Sequence, residues 1–329
     1  MSTEQQEFTD TTDVTVDDLE TVSGFPLILH VDTEGSRAIQ YVKKHKTAIN
    51  RLLQENGALL IRGLKVHSSK EFGKVLSEAF NSELLQYTYR STPRTEFRGN
   101  VYTATEYPAT EVIPQHNENS YSRSWPYRIG LFCLIPAEEG GETPISSSRA
   151  ILDLLPDHIK REFSEKQIMY VRNYLDIDLP WTEVFQTEDK AEVEAFCTEN
   201  DLQFEWLEQG LRTKQINPPT VVHQDTGEEL WFNQAHLFHV SNLGQESKEA
   251  LLSSLGVENL PRNTFFGDGS EIPEEYLDTI RQLYEKTKIK FKWQESDLLL
   301  LDNLRFTHGR EPFYGERKVL VGMACPNNL

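Results

Sequence analysis

The chain has 329 residues, of which 38% are hydrophobic and 10% aromatic, and no run approaches the roughly 20 apolar residues of a membrane-spanning helix. Its formal net charge of −19 argues against nucleic acid as a partner, because the phosphate backbone would be repelled. Three widely spaced cysteines form neither a zinc motif nor a disulfide framework, so a reducing cytoplasm is expected. Residues 1–25 are acidic, without Lys or Arg, and are expected to be a flexible lead-in that is not a signal peptide; residues 26–329 are expected to form one domain.

Helices and strands are predicted from apolar periodicity and from the residues that begin or end helices. Helical spacing predicts helices at about 36–56, 68–80, 148–155, 187–200 and 273–284. Apolar or alternating runs predict strands at about 58–61, 129–135, 167–174, 221–222, 230–232, 288–293, 298–301 and 318–324. Gly57 is expected to end the first helix, and Ser68 with Glu71 to form a capping box at the start of the second.

This order of elements, early helices and then many strands with helices between them, predicts a sandwich or barrel of β-strands buttressed by helices. A doubly wound α/β fold is not expected, because regular strand–helix alternation and a glycine-rich nucleotide loop are both missing from the sequence.

The candidate chemistry begins with His116 and Glu118. On an extended backbone, residues two apart project from the same face, so the pair can present one imidazole and one carboxylate to a common ion. Alone this spacing is weak evidence, since a solvated pair arises often by chance. His308, which follows a predicted buried strand, supplies a second imidazole. Two histidines and one carboxylate form the facial triad of mononuclear Fe(II) sites, which leaves three positions open.

Arg317, at the start of the last predicted strand, is a candidate anchor for a carboxylate, because a guanidinium can grip it with two parallel hydrogen bonds. Other polar residues are weighed against structural roles. His236 and His239 lack the third ligand and the glutamate of a zinc hydrolase. Arg90, Arg94 and Arg98 are expected mainly as solvated side chains, and residues 231–234 either line a pocket or pack under a loop.

Five segments resemble the TauD/TfdA family of Fe(II)/2-oxoglutarate dioxygenases: 100–108, 116–121, 140–144, 231–239 and 302–310. The resemblance extends from about residue 57 to the C-terminus. It is most similar to the SyrP-like branch, which hydroxylates amino acids or related acids in natural-product pathways. The family implies a double-stranded β-helix, that is, a cupin-like jelly-roll core with N-terminal and inserted helices.

Carried over residue by residue, the resemblance implies that His116, Glu118 and His308 bind Fe(II). It also implies that Arg317 holds the C5 carboxylate of the co-substrate 2-oxoglutarate, and that Thr143 supports it. Many relatives carry Asp where this chain has Glu118, a departure that still supplies a carboxylate. Relatives that halogenate lack this carboxylate, so halogenation is not expected.

The sequence thus predicts a dioxygenase that uses O2 to hydroxylate a small amino acid or similar polar acid, free or tethered to a carrier protein. Tyr102, Asn119 and Arg310 are candidate substrate contacts. Alternatives are the same iron site ending in desaturation or cyclisation, and a cupin-like metal-binding protein without 2-oxoglutarate turnover. The oligomeric state is not readable from the sequence.

Overall fold

A computed structural model describes residues 21–22, 26–33, 35–89, 91–175 and 177–328. Apart from Thr21 and Val22, which form a short strand, the expected flexible lead-in lies outside the described residues. The described helices are α1 Ala38–Asn56, α2 Ser69–Phe80, α3 Ser148–Leu154, α4 Asp157–Lys166, α5 Trp181–Phe185, α6 Lys190–Glu199, α7 Ala235–Phe238, α8 Gln245–Leu255 and α9 Glu274–Thr287. In the part of the chain that the structure describes, no helix is both long and apolar enough to cross a bilayer.

The strands follow the predicted order, with several short additions. They are β1 Thr21–Val22, β2 Leu27–His30, β3 Ala58–Arg62, β4 Glu96–Phe97, β5 Val101–Thr103, β6 Ile113–His116, β7 Ser124–Ile135, β8 Glu139–Gly140, β9 Ile145–Ser147, β10 Ile168–Tyr174, β11 Gln203–Leu207, β12 Gly210–Asn217, β13 Thr220–Val222, β14 Glu229–Trp231, β15 Arg262–Phe266, β16 Leu298–Asp302, β17 Phe306–Arg310, β18 Phe313–Tyr314 and β19 Lys318–Asn328.

The two early helices begin and end at the residues that the sequence indicates. Gly57 follows α1 with a φ of 74°, a left-handed conformation that glycine adopts without a steric cost. At the start of α2, the Ser68 side chain accepts a hydrogen bond from the backbone N–H of Glu71, and the Glu71 carboxylate accepts one from the N–H of His67. Both helices bury one apolar face against the largest sheet.

This sheet has eight strands in the order β1-β2-β3-β16-β7-β19-β5-β4. Successive side chains of a strand point to opposite faces, and the leucine run of β16 shows the result. Leu298 and Leu300 pack with α1 and α2, whereas Leu299 and Leu301 belong to the cluster on the other face. The continuous apolar run therefore reflects a strand that is buried on both sides.

A second, three-stranded sheet, β6-β17-β9, completes the β-core. A cavity lies between the two sheets, lined by Leu131 of β7 and Val319 and Val321 of β19 on one side and by residues of β6 and β17 on the other. The inserted segment, with the four-stranded sheet β11-β12-β10-β15 and most later helices, forms a separate hydrophobic cluster. The structure confirms the predicted β-core with N-terminal and inserted helices.

The predicted strand at 288–293 was wrong. The segment is extended, but only Ile289 pairs with another chain segment, through two backbone hydrogen bonds with Ile145. The alternating sequence has a different cause, because Trp293 is buried and packs against Phe291, whereas Lys290 and Lys292 are exposed. Alternating burial does not require a neighbouring strand.

Candidate active site

Two histidines face each other across an antiparallel strand pair. His116 ends β6 and His308 lies in the middle of β17; they are direct partners in the ladder, with ring centroids 4.7 Å apart. Gly309 allows the strands to approach here, because a Cβ at this position would lie 2.6 Å from the carbonyl oxygen of Ile113. Strand register therefore brings together two side chains that are far apart in the sequence.

Glu118 lies just beyond the end of β6, and its carboxylate turns toward the histidines. Its Oε2 is 3.6 Å from His308 Nε2, and the ligand atoms of His116, Glu118 and His308 all lie within 4.8 Å of one another. Among the described residues, this is the one group of three or more His, Cys, Asp or Glu side chains placed to hold a metal ion.

The protonation states suit metal binding. Burial, with a further contribution from His308, lowers the pKa of His116 to about 4, so its ring is neutral at neutral pH. Its Nδ1–H donates to the carbonyl oxygen of Pro114 at 2.8 Å, which leaves the lone pair of Nε2 for an ion. Burial opposes the ionisation of Glu118, but the charge of Arg94 and the contacts of His308 outweigh it, and the pKa of Glu118 lies far below its usual range.

Two imidazoles and one carboxylate are the donor set of mononuclear non-haem Fe(II) centres. The three side chains come from β6, from the segment just after it and from β17, and both histidines line the cavity. The residues present therefore fit an iron ion at the edge of the cavity.

Arg317 and Thr143 line the same cavity. Arg317 Nε donates to the carbonyl oxygen of Gly141 at 2.9 Å, and burial lowers the pKa of Arg317 to about 10. A desolvated guanidinium favours an anionic ligand, which would restore the interactions lost with water. Thr143 is 2% exposed, and its Oγ1 accepts a hydrogen bond from the indole N–H of Trp293 at 3.1 Å.

Gln234 and His236 contact the backbone on either side of His116. Gln234 Nε2 donates to the carbonyl oxygen of Asn117 at 2.8 Å, and His236 Nε2 lies 3.1 Å from the carbonyl oxygen of Gln115. Burial lowers the pKa of His236 to about 3. His239 forms a hydrogen bond with Ser241 through Nδ1, so both histidines have contacts within the protein.

Asn303 fastens the backbone of Glu118, a role that the sequence alone did not reveal. Its Oδ1 accepts the N–H of Glu118 at 2.7 Å, and its Nδ2 donates to the carbonyl oxygens of Glu118 at 3.0 Å and Pro126 at 2.8 Å. Asn117 Nδ2 donates in turn to the carbonyl oxygen of Asn303 at 2.6 Å. The one available signal was that Asn303 directly follows a buried strand within a segment that resembles the family.

Two of the expected substrate contacts, Tyr102 and Asn119, do not line the cavity. Tyr102 is fully buried in the core behind the cavity, and its hydroxyl oxygen accepts the backbone N–H of Tyr87 at 2.9 Å. Asn119 adopts a left-handed conformation, with a φ of 57°, in the turn after Glu118, and its Oδ1 accepts a hydrogen bond from Tyr121. Neither side chain lines the cavity.

Arg310 does line the cavity, but most of its guanidinium is already engaged. It donates to the carbonyl oxygens of Tyr107, Pro108 and Glu111, and so holds the loop at the cavity edge. Its Nε is buried and has no hydrogen-bond partner among the described residues. The Nε–H and the second N–H of Nη1 are therefore what Arg310 can still offer to a ligand.

The three arginines before the metal motif differ from one another. Arg90 lies outside the described residues, and Arg98 is exposed as expected. The expectation of a solvated side chain was wrong for Arg94, because it is buried, lines the cavity and donates through Nη2 to Glu118 Oε2 at 2.8 Å. Only the fold brings this residue to the site, since Arg94 precedes β4 whereas Glu118 follows β6.

The geometry agrees with comparisons to known proteins. The family model described as taurine catabolism dioxygenase TauD, TfdA family, matches residues 26–324. The dapdiamide synthesis protein DdaC of Enterobacter agglomerans is 41% identical over 309 residues, which cover 93% of each chain. A clavaminate synthase-like protein of Arabidopsis thaliana is 31% identical over 298 residues, 86% of each chain. The crystal structure of PvcB from Pseudomonas aeruginosa shares the fold, with a TM-score of 0.52 and 16% identity over 91% of this chain and 84% of PvcB.

Proposed function

Since the chain belongs to the TauD/TfdA family, we propose that it oxidises an unactivated C–H bond of an amino acid or a related small polar acid in natural-product biosynthesis. Family membership makes it a 2-oxoglutarate-dependent dioxygenase with a non-haem iron cofactor. The natural-product assignment is supported by the printed role of DdaC, a dapdiamide synthesis protein of similar length. Hydroxylation is the outcome proposed first.

His116, Glu118 and His308 would hold the iron. When bound, iron supplies the site at which 2-oxoglutarate and O2 react, with release of succinate and CO2. The chain contributes a neutral His116 ring and an ionised Glu118, which are ready to bind the ion without first losing a proton at neutral pH. Apolar walls from β7 and β19 exclude water from the oxidising centre.

Arg317 and Thr143 would hold the distal carboxylate of 2-oxoglutarate. Arg317 is fixed through its Nε by the carbonyl of Gly141, so its terminal nitrogens keep their N–H groups for the anion. Thr143 already accepts from Trp293, so its hydroxyl hydrogen is free to donate. A guanidinium and a hydroxyl donor together suit a carboxylate better than a neutral ligand.

The observation that carries the proposal is the convergence of the triad and the co-substrate residues on one cavity. His116, His308, Thr143 and Arg317 all line it. A cupin-like protein that only stores or senses a metal needs no anchor for a keto acid. Arg310, whose buried Nε–H has no partner among the described residues, is kept as a substrate contact.

Anaerobic titration of the metal-free protein with Fe(II) and 2-oxoglutarate tests the proposal. We expect a weak visible charge-transfer band that is absent in His308→Ala, because that variant lacks one ligand. In Arg317→Ala the band should require much more 2-oxoglutarate, on the order of 100-fold, because an ion-paired anchor is lost. Iron binding without a band in the unchanged protein would sink the co-substrate assignment.

The products decide how the reaction ends and what form the substrate takes. Amino acids, supplied free or as carrier-bound thioesters, would be screened for succinate release coupled to substrate loss. Hydroxylation adds one oxygen atom to the product, whereas desaturation or cyclisation removes two hydrogen atoms. A product that has lost two hydrogen atoms and gained no oxygen would show that the reaction is desaturation or cyclisation and not hydroxylation.

A further inference from the structure

Arg94 lines the cavity, and neither the facial triad nor the co-substrate explains its contact with Glu118. Its side chain and that of Glu118 are each 3% exposed, and Arg94 Nη2 lies 2.8 Å from Glu118 Oε2. The guanidinium also lies over the Tyr87 ring, 4.5 Å from its centroid. A buried ion pair in a cavity wall is costly to form unless its geometry is well satisfied, so a specific use is expected.

Arg94 and His308 both contact the same oxygen of Glu118. Arg94 Nη2 donates to Oε2 at 2.8 Å, and His308 Nε2 lies 3.6 Å from this oxygen, whereas the described residues supply no hydrogen bond to Oε1. A carboxylate that a buried guanidinium holds at one oxygen cannot turn freely, so its direction relative to His308 is fixed. Without this hydrogen bond the side chain of Glu118 could adopt other rotamers, and the three ligand side chains would no longer be held close together.

We propose that Arg94 is a positioning residue that holds the carboxylate of Glu118 beside His116 and His308, so that the three side chains are already arranged to bind a metal ion. This inference rests on the proposed function of the site. It also accounts for the departure from the Asp of many relatives. The side chain of Glu is one methylene longer, which lets a single carboxylate meet both the ion and an arginine that comes from outside the β6–β17 pair.

The first test measures metal affinity, which needs no turnover. Mn(II) binding would be followed by electron paramagnetic resonance in the unchanged protein and in Arg94→Gln, Arg94→Lys and Arg98→Gln. We expect Arg94→Gln to weaken binding by about 10- to 100-fold, as loss of a residue that orients a ligand does. Arg94→Lys should recover part of this loss, because it keeps the charge without the planar fork. Arg98→Gln is the matched control, an exposed arginine of the same segment.

The second test asks whether Arg94 acts through Glu118. Glu118→Asp would be combined with Arg94→Gln in a double-mutant cycle on Mn(II) affinity. A shorter carboxylate cannot reach both partners, so we expect the double variant to bind no more weakly than Glu118→Asp alone.

Three results would overturn the inference: unchanged Mn(II) affinity in both Arg94 variants, additive losses in the cycle, or a higher substrate KM with normal metal binding. The last result would make Arg94 a substrate contact instead. Circular dichroism checks folding, and if Arg94→Gln unfolds, Arg94→Lys carries the comparison. If the unchanged protein binds Mn(II) but shows no charge-transfer band with Fe(II) and 2-oxoglutarate, the proposed function fails while the Arg94 result stands.

Discussion

Trp293 lies outside the cavity but determines which way the hydroxyl hydrogen of Thr143 can point. The indole N–H of Trp293 donates to Thr143 Oγ1, and an indole nitrogen can only donate. The hydroxyl is therefore the acceptor in this pair, and its own hydrogen points elsewhere. A carboxylate of 2-oxoglutarate, which is proposed to bind in the cavity, accepts hydrogen bonds and can therefore receive this hydrogen.

Trp293→Phe keeps an aromatic ring and removes only the donor. We expect the KM for 2-oxoglutarate to rise about fivefold, in line with about 1 kcal/mol for one hydrogen bond, while kcat changes little. Steady-state kinetics with varied 2-oxoglutarate measure this. Trp206→Phe is the control, because it also removes an indole donor, to Glu194, far from the cavity. Equal effects of the two substitutions would contradict the assignment.

At the scale of the element, the turn after β8 determines where Arg317 lies. Gly140 and Gly141 both have a φ of 69°, and the carbonyl of Gly141 accepts the hydrogen bond of Arg317 Nε. A Cβ on Gly141 would lie 2.8 Å from Arg317 Cδ. Glycine is therefore needed at position 141, because a side chain there would collide with the side chain of Arg317.

Gly141→Ala should displace Arg317 and raise the KM for 2-oxoglutarate at least about tenfold, the effect of losing an ionic hydrogen bond. The substitution also strains the backbone, as any side chain does at positive φ. Gly269→Ala separates the two effects, because Gly269 has a φ of 87° but nothing within 4 Å of its Cβ position. Gly269→Ala should lower the melting temperature and leave the KM unchanged. A similar KM rise in both variants would mean that strain, not the clash, is responsible.

At the scale of the whole molecule, burial of neutral histidines makes stability depend on pH. The pKa values of His116, His236 and His239 are lowered to about 4, about 3 and about 4, with burial as the first cause of each. Histidines of the unfolded chain titrate near 6.5. Between these values the unfolded chain binds more protons than the folded one, so stability is fully present above about pH 6.5 and is lost as the pH falls.

Urea unfolding of the metal-free protein between about pH 7 and about pH 5 should show this loss, at about 1.4 kcal/mol per pH unit for each such histidine. His236→Gln removes one titrating group from the interior. This variant is expected to be less stable at neutral pH but to lose stability less steeply as the pH falls. Parallel slopes for the two proteins would show that His236 does not contribute.

The sequence by itself was sufficient where local pattern or spacing decides the outcome. It predicted α1 and α2 with their caps, the leucine strand β16 and the β-core, because periodicity and capping act over a few residues. It also selected His116, Glu118 and His308, which the structure brings within ligand distance of one another. Two of these are neighbours on one extended segment, and the third follows a strand whose burial is evident from its composition.

Only the tertiary structure decided which distant residues surround that centre. Arg94, Trp293 and Asn303 meet the site through strand register and loop packing, and no local pattern distinguishes them from surface or core residues of the same type. For the same reason the sequence could not show that Tyr102 is buried away from the cavity lining, or that residues 288–293 pair only at Ile289. An amino-acid pattern reports whether a side chain is buried, but the partner that it meets depends on how all the strands pair.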